Sequence, residues 1–136
     1  MALFGVITIH DGKATPEAHT FAPAYRRDNE LGWADRSAGV LAGYRQISLQ
    51  VRPATNANAG TRVNIKVKDP RLAVLGVNDQ GIVPTPVKAY ETLAEVSFML
   101  PSGSDRQARL DILAYMANLL ARDQIKDSIV DLAQPV

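Results

Sequence analysis

Residues 61 to 70, Thr-Arg-Val-Asn-Ile-Lys-Val-Lys-Asp-Pro, alternate polar and apolar side chains without interruption. A period of two puts Arg62, Asn64, Lys66 and Lys68 on one face of a strand and Val63, Ile65 and Val67 on the other. Tyr44 to Arg52 repeats the pattern, with Gln46, Ser48, Gln50 and Arg52 opposite Ile47, Leu49 and Val51. Between them lies Pro53 to Gly60, small, polar and turn-prone, so the two strands are most simply an antiparallel pair. Two such strands fix a sheet with one apolar face to be covered and one polar face that stays open.

Charge follows this pattern. The chain has 15 Lys and Arg, 14 Asp and Glu and a net charge of +1. Between Arg45 and Arg71, however, Arg45, Arg52, Arg62, Lys66, Lys68 and Arg71 meet only one acid, Asp69. That concentration suits a polyanion, although a solvated sheet face would carry the same residues.

The remaining elements fall in order along one domain of 136 residues. Leu3 to His10 is β-rich and ends at Asp11-Gly12, with a second extended stretch near Ala18 to Ala22, so residues 1–22 read as a β-hairpin. Residues 23–100 form the main antiparallel sheet: signals are weak from Pro23 to Gly43, where Trp33 marks a short strand, and strong again in the two alternating stretches. Residues 71–86 are a loop region containing Gly76-Val77-Asn78-Asp79-Gln80-Gly81, and Pro84 and Pro86 stiffen its exit. Val87 to Leu100 is a strand of unusual length.

After Pro101 the period lengthens, and residues 104–133 read as a helix pair. Ser104-Asp-Arg-Gln107 fits a capping box, and Ile112, Leu113, Met116, Leu119 and Leu120 form an apolar stripe. Such a stripe ordinarily packs on its own chain's sheet. The fold class is therefore α+β: a hairpin, an antiparallel sheet of long strands and two C-terminal helices. The sheet's open edges would be removed by pairing with a second copy, so a homodimer is expected.

Enzymatic chemistry finds little support. There is no cysteine, no phosphate-binding glycine loop, no nucleophile elbow and no HExxH motif. His10, Asp11 and His19 are the best constellation, but no spacing supports a third ligand, so no catalytic residue, metal site or cofactor is assigned. The start of the chain has neither a signal peptide's basic region nor a membrane span, so a soluble cytosolic product without membrane contact is expected.

In element order and in particular residues the sequence resembles the coat proteins of the single-stranded RNA bacteriophages, the levivirus-like family. The matching features are the hairpin with Asp11-Gly12, Trp33 before a loop, Tyr44 to Arg52, Arg62 to Pro70, the glycine-containing loop before Pro84-Thr-Pro86, the long strand ending at Leu100-Pro101 and the closing helices. The similarity spans nearly the whole chain, and its specificity lies in order and spacing.

The resemblance implies an intertwined dimer with one continuous sheet, each chain's helices lying across the partner's half. It implies an icosahedral shell, expected to be T=3, around the phage RNA genome, in a virion assembled in the bacterial host cytoplasm, with a maturation protein as a further partner. It also implies a genomic hairpin bound on the inner sheet face as a translational repressor of the replicase. Matched strand to strand, its adenine pocket falls on Ser48, Gln50, Asn64 and Lys66, with Arg52, Arg62 and Lys68 nearby on phosphates. Gly76, Val77, Asn78, Asp79, Gln80 and Gly81 match the loop that differs around the shell's symmetry axes.

Two residues depart from the family pattern. Leu93 stands where well-known members place a stacking tyrosine, and Glu95 would repel phosphate unless it accepts a hydrogen bond from a base. General RNA contact is thus better supported than recognition of one known hairpin. The alternative is a small cellular RNA- or single-strand-binding protein using the same face. Such proteins usually interleave aromatics with their basic residues, and the two basic strands offer only Tyr44.

Overall fold

The computed structural model describes residues 4–56, 59–73, 80–82, 85 and 87–134. Six strands form one antiparallel sheet in chain order: β1 (Ile7–His10), β2 (Ala18–Arg27), β3 (Glu30–Asp35), β4 (Arg45–Arg52), β5 (Gly60–Leu72) and β6 (Lys88–Pro101). Two helices follow, α1 (Arg106–Leu120) and α2 (Asp123–Val130). The α+β arrangement expected from the alternation and the late change of period is what the chain adopts.

Three local features differ from expectation. The first hairpin does not turn tightly at Asp11-Gly12. Instead the Asp11 carboxylate accepts the backbone N–H groups of Lys13 (3.2 Å) and Glu17 (3.0 Å), organising a longer loop before β2. The second strand does not stop near Ala22: its first half pairs with β1, and its second half runs on to Arg27 against β3. A register shift between Pro23 and Tyr25 accommodates the proline, because a bulge frees the strand from a ladder hydrogen bond there.

The third difference is the helix cap. Asp105, not Ser104, occupies the N-cap of α1, its carboxylate accepting the Ala108 N–H at 2.7 Å. Ser104 Oγ instead donates to the Pro101 carbonyl at 2.6 Å, and Gln107 reaches forward to Asp111 at 2.9 Å. The two carboxylates compete for what a Ser/Gln box would otherwise share.

Very little of the chain is buried. Among the described residues the buried apolar set is Phe21 (2% exposed), Trp33 and Ala34 (5% each). Trp33 is fixed from the N-terminal side, its indole N–H donating to the Gly5 carbonyl at 2.8 Å while Phe4 meets it edge-on at 5.5 Å. Neither helix has a buried residue; Leu113, Leu119 and Leu120 of the α1 stripe are about half exposed. The stripe therefore does not close over its own sheet. The first half of α1 lies near it, where Arg109, Ile112 and Leu113 border Val63, Ile65, Phe98 and Leu100. Among the described residues, no helix is long and apolar enough to cross a membrane.

Candidate nucleic-acid interface

The register of β4 against β5 sets the predicted polar residues directly opposite one another. Gln46 faces Lys68, Ser48 faces Lys66, Gln50 faces Asn64 and Arg52 faces Arg62. On the far side of β5, β6 adds Leu93 opposite Lys68, Glu95 opposite Lys66, Ser97 opposite Asn64 and Met99 opposite Arg62. Because side chains alternate between faces, all of these share one surface. The sequence-predicted residues Ser48, Gln50, Arg52, Arg62, Asn64, Lys66, Lys68 and Glu95 are thus gathered into one patch.

Within this patch Lys68 lies near enough to Glu91 to help hold its carboxyl below the ordinary range, but makes no ion-pair contact with it. Among the described residues, Arg52, Arg62, Lys66 and Lys68 make no ion pair with a carboxylate. Hydroxyl and amide groups stand between them. The arrangement offers base-edge donors and acceptors in the middle and positive charge around them, which is the division of labour of an RNA-binding surface.

The strands β2 and β3 extend the same face, and here the sequence reading missed a residue. Gly32 pairs with Ser48 on one side and Tyr25 on the other, so Tyr25 stands on the polar face. Its hydroxyl donates to Glu30 at 2.9 Å, and the Arg27 guanidinium lies 4.8 Å from its ring centroid. Burial and the nearby Glu30 carboxylate push the Tyr25 hydroxyl above its usual range, so it stays protonated as a donor. Tyr25, Glu30, Gln46, Ser48, Lys66 and Lys68 line a shallow recess. The two basic strands still offer only Tyr44, but β2 brings a further aromatic to the face they form. The signal was Tyr25-Arg26-Arg27, which continues the alternation of β2 beyond a proline that reads as its end.

At the hairpin end of the sheet the charged groups behave differently. His19 Nε2 lies 2.9 Å from Asp11 Oδ2, and its Nδ1 lies 3.7 Å from Asp35. Arg45 then bridges Asp35 (3.1 Å) and Asp69 (3.0 Å), and Arg71 closes on Asp69 at 2.9 Å. Burial would raise the Asp35 carboxyl, but hydrogen bonds from Ser37 and Arg45 outweigh it and hold it below its ordinary range. Asp11 is likewise held well below the usual carboxylate range, by the Glu17 backbone N–H first and His19 second.

This chain of ion pairs also answers the His10, Asp11 and His19 question. Ile9 is the register partner of His19, which leaves His10 on the alternate face of the hairpin and separates it from the other two. Asp11, Glu17 and His19 do bring donor atoms within 4.8 Å of one another. Lys13 is already among them, its ammonium 2.8 Å from Glu17 and 3.7 Å from Asp11, where a cation would have to sit.

Of the loop Gly76 to Gly81, Gly76, Val77, Asn78 and Asp79 lie outside the described residues. Gly81 takes φ of 80°, the left-handed conformation that glycine adopts without a Cβ penalty.

An open six-stranded sheet, a polar face rich in cations and two helices without a buried residue leave surface that association with further chains would cover. The levivirus coat protein family model matches residues 2–135, and the chain belongs to that family as a capsid protein of levivirus-like phages. It is 30% identical over 128 residues to the capsid protein of Pseudomonas phage PRR1, covering 93% of each chain. The solved virus-like particle of bacteriophage NT-214 is 33% identical, with a TM-score of 0.86 over 99% of this chain and 100% of that one. The virus-like particle of bacteriophage ESE058 is 30% identical, with a TM-score of 0.90 over the same shares. The phage GA capsid protein, at 17% identity, shares the fold with a TM-score of 0.78 over 98% of each chain. As a capsid protein the chain is a component of the virion and associates with itself.

Proposed function

We propose that this capsid protein forms an intertwined homodimer and then an icosahedral, T=3 shell whose inner surface is the polar sheet face, laid against single-stranded genomic RNA. The observation that carries the RNA reading is the ladder of Ser48–Lys66, Gln50–Asn64 and Arg52–Arg62 pairs, with every cation in it unpaired among the described residues. Salt bridges to the chain's own carboxylates would have spent that charge; here it is left for phosphates.

The dimer is supported by what the single chain leaves undone. The 14-residue strand β6 is an edge with one side paired to β5, and Val96, Phe98 and Leu100 on its apolar face are only partly covered. Two β6 edges pairing antiparallel would join the sheets and remove the unpaired ladder. The α1 and α2 stripes would then lie across the partner's apolar face, covering both at once. Assembly would take place in the bacterial host cytoplasm, with a maturation protein joining the same shell.

A genomic hairpin bound at Ser48, Gln50, Asn64 and Lys66 would make the dimer a translational repressor of the replicase as well. Leu93 and Glu95 at the rim of this patch change the specificity of that contact relative to a tyrosine-bearing surface.

Electron microscopy of the protein expressed alone, combined with nuclease treatment, tests the proposal. Uniform closed particles holding nuclease-resistant RNA are expected. A lasting monomer or dimer across a range of salt and added RNA would overturn it.

A further inference from the structure

The recess beside Ser48 has a wall that the ladder of β4 and β5 does not supply. A β-carbon built at Gly32 would lie 2.1 Å from Tyr25 Cε1 and within 2.5 Å of Cζ and Cδ1. The ring therefore lies across the backbone of β3, in the space any other residue at position 32 would fill. Its hydroxyl is tied to Glu30, which holds the far end of the ring in place. Tyr25 is the only aromatic on this face among the described strand residues, and it is partly exposed (37%).

We propose that Tyr25, seated on Gly32, is a stacking shelf for one unpaired base of the bound RNA. The inference rests on the reading of this face as the RNA surface and adds to it a subsite outside the Ser48, Gln50, Asn64 and Lys66 pocket. Arg27 covers the ring in the free protein, but its side chain is 72% exposed and its contact to Glu30 is 3.7 Å, so little holds it in place. A base entering from the side of β4 takes the position of the Arg27 guanidinium, which turns outward onto a phosphate. Gln46 offers an amide donor and acceptor to the base edge, and Lys68 stands across from it for the adjoining phosphate. Every base has a π-face, so such a shelf supplies affinity without fixing the sequence.

An aromatic ring also fills the gap over a strand glycine for purely structural reasons, and the experiment has to separate the two. Wild-type protein and its variants, kept unassembled so that the polar face is open, would be titrated with a single-stranded RNA oligonucleotide carrying 2-aminopurine, over a range of salt. Tyr25→Leu should weaken binding roughly 5- to 150-fold, the range for one lost stacking contact, by the same factor at every salt concentration. It should also abolish the 2-aminopurine quenching, while Tyr25→Phe keeps both. Gly32→Ala should behave like Tyr25→Leu, because the added methyl displaces the ring.

Lys66→Ala provides the control for the underlying reading, since loss of a phosphate contact should lower the salt slope by about 0.7. If Tyr25→Leu leaves affinity and quenching unchanged while Lys66→Ala lowers the slope, the shelf is wrong and the RNA face stands. If Lys66→Ala and Arg62→Ala also change nothing, the reading beneath it falls. Photo-cross-linking of the unaltered protein to a 5-bromouridine oligonucleotide needs no variant: an adduct at Tyr25 is expected, and adducts confined to other residues would overturn the shelf.

Discussion

Two groups of cations on the same pair of strands meet opposite fates. Arg45 and Arg71, at the hairpin end, are tied through Asp35 and Asp69 into a chain that continues to His19 and Asp11. Arg52, Arg62, Lys66 and Lys68, on the polar face, have no ion-pair partner among the described residues. Composition alone treats the two groups alike. The difference is one of sheet face: Arg45 and Asp69 share the face of Ile47 and Val67, where Asp35 is buried (5% exposed) and charge must be compensated, whereas Arg62 and Lys66 look outward. The first group holds hairpin and sheet together, and the second is available to a ligand.

The largest effect that would sharpen this contrast belongs to Arg45→Ala. It leaves the buried Asp35 carboxylate without its guanidinium partner, and because Arg45 is partly exposed and the Ser37 hydrogen bond remains, the expected loss is about 2 kcal/mol, below that for a fully buried pair. Denaturant unfolding at fixed protein concentration measures it; a loss below about 0.5 kcal/mol would mean that the ion chain is ornamental.

Acid should act on the same end of the molecule. Asp35 titrates below its ordinary value of 3.8, so its contribution is complete above that pH and is lost as pH falls toward the lower value of the folded protein. Asp11, shifted in the same direction, adds to the loss. Protection of the β1 and β2 amides, taken relative to the intrinsic exchange rate at each pH, should therefore fall below about pH 4, ahead of protection in the centre of β5. Asp35→Asn should flatten the dependence, and a uniform loss of protection throughout the sheet would break the distinction between the two ends.

Arg71→Ala marks the lower end of the scale. Its pair with Asp69 is about half exposed, so its removal should cost about 0.5 kcal/mol or less by the same unfolding assay. A larger loss would show that the ion chain depends on its outermost member.

Much of this architecture was legible in the sequence because it depends on a period of two. Alternation in 44–52 and 61–70, joined by a turn, sufficed to put Ser48, Gln50, Asn64 and Lys66 on one face, since a one-residue slip would have buried the lysines; the pairing of Ser48 with Lys66 and Gln50 with Asn64 is set by the fold. The change of period after Pro101 located both helices. What could not be read was whatever depended on long-range closure. Asp11, Asp35, Arg45 and Asp69 are far apart in sequence, and nothing local announces that one arginine will bridge two strands.

Tyr25 escaped for another reason. Pro23 ordinarily ends a strand, and only the bulge next to it lets β2 continue to Arg27 and carry an aromatic onto the polar face. The α1 stripe was read correctly as apolar, but within the single chain none of its residues is buried. Local pattern specifies that a face needs burying, not which copy of the chain will bury it.

The central claim, that the unpaired cations of the polar face hold the genome, is tested most directly by the RNA content of particles assembled from Arg62→Ala/Lys66→Ala protein. Intact shells with clearly less RNA per particle than wild type, by ultraviolet absorbance ratio and extracted RNA mass, are predicted. Intact shells with wild-type RNA content would contradict the account and move the RNA surface elsewhere.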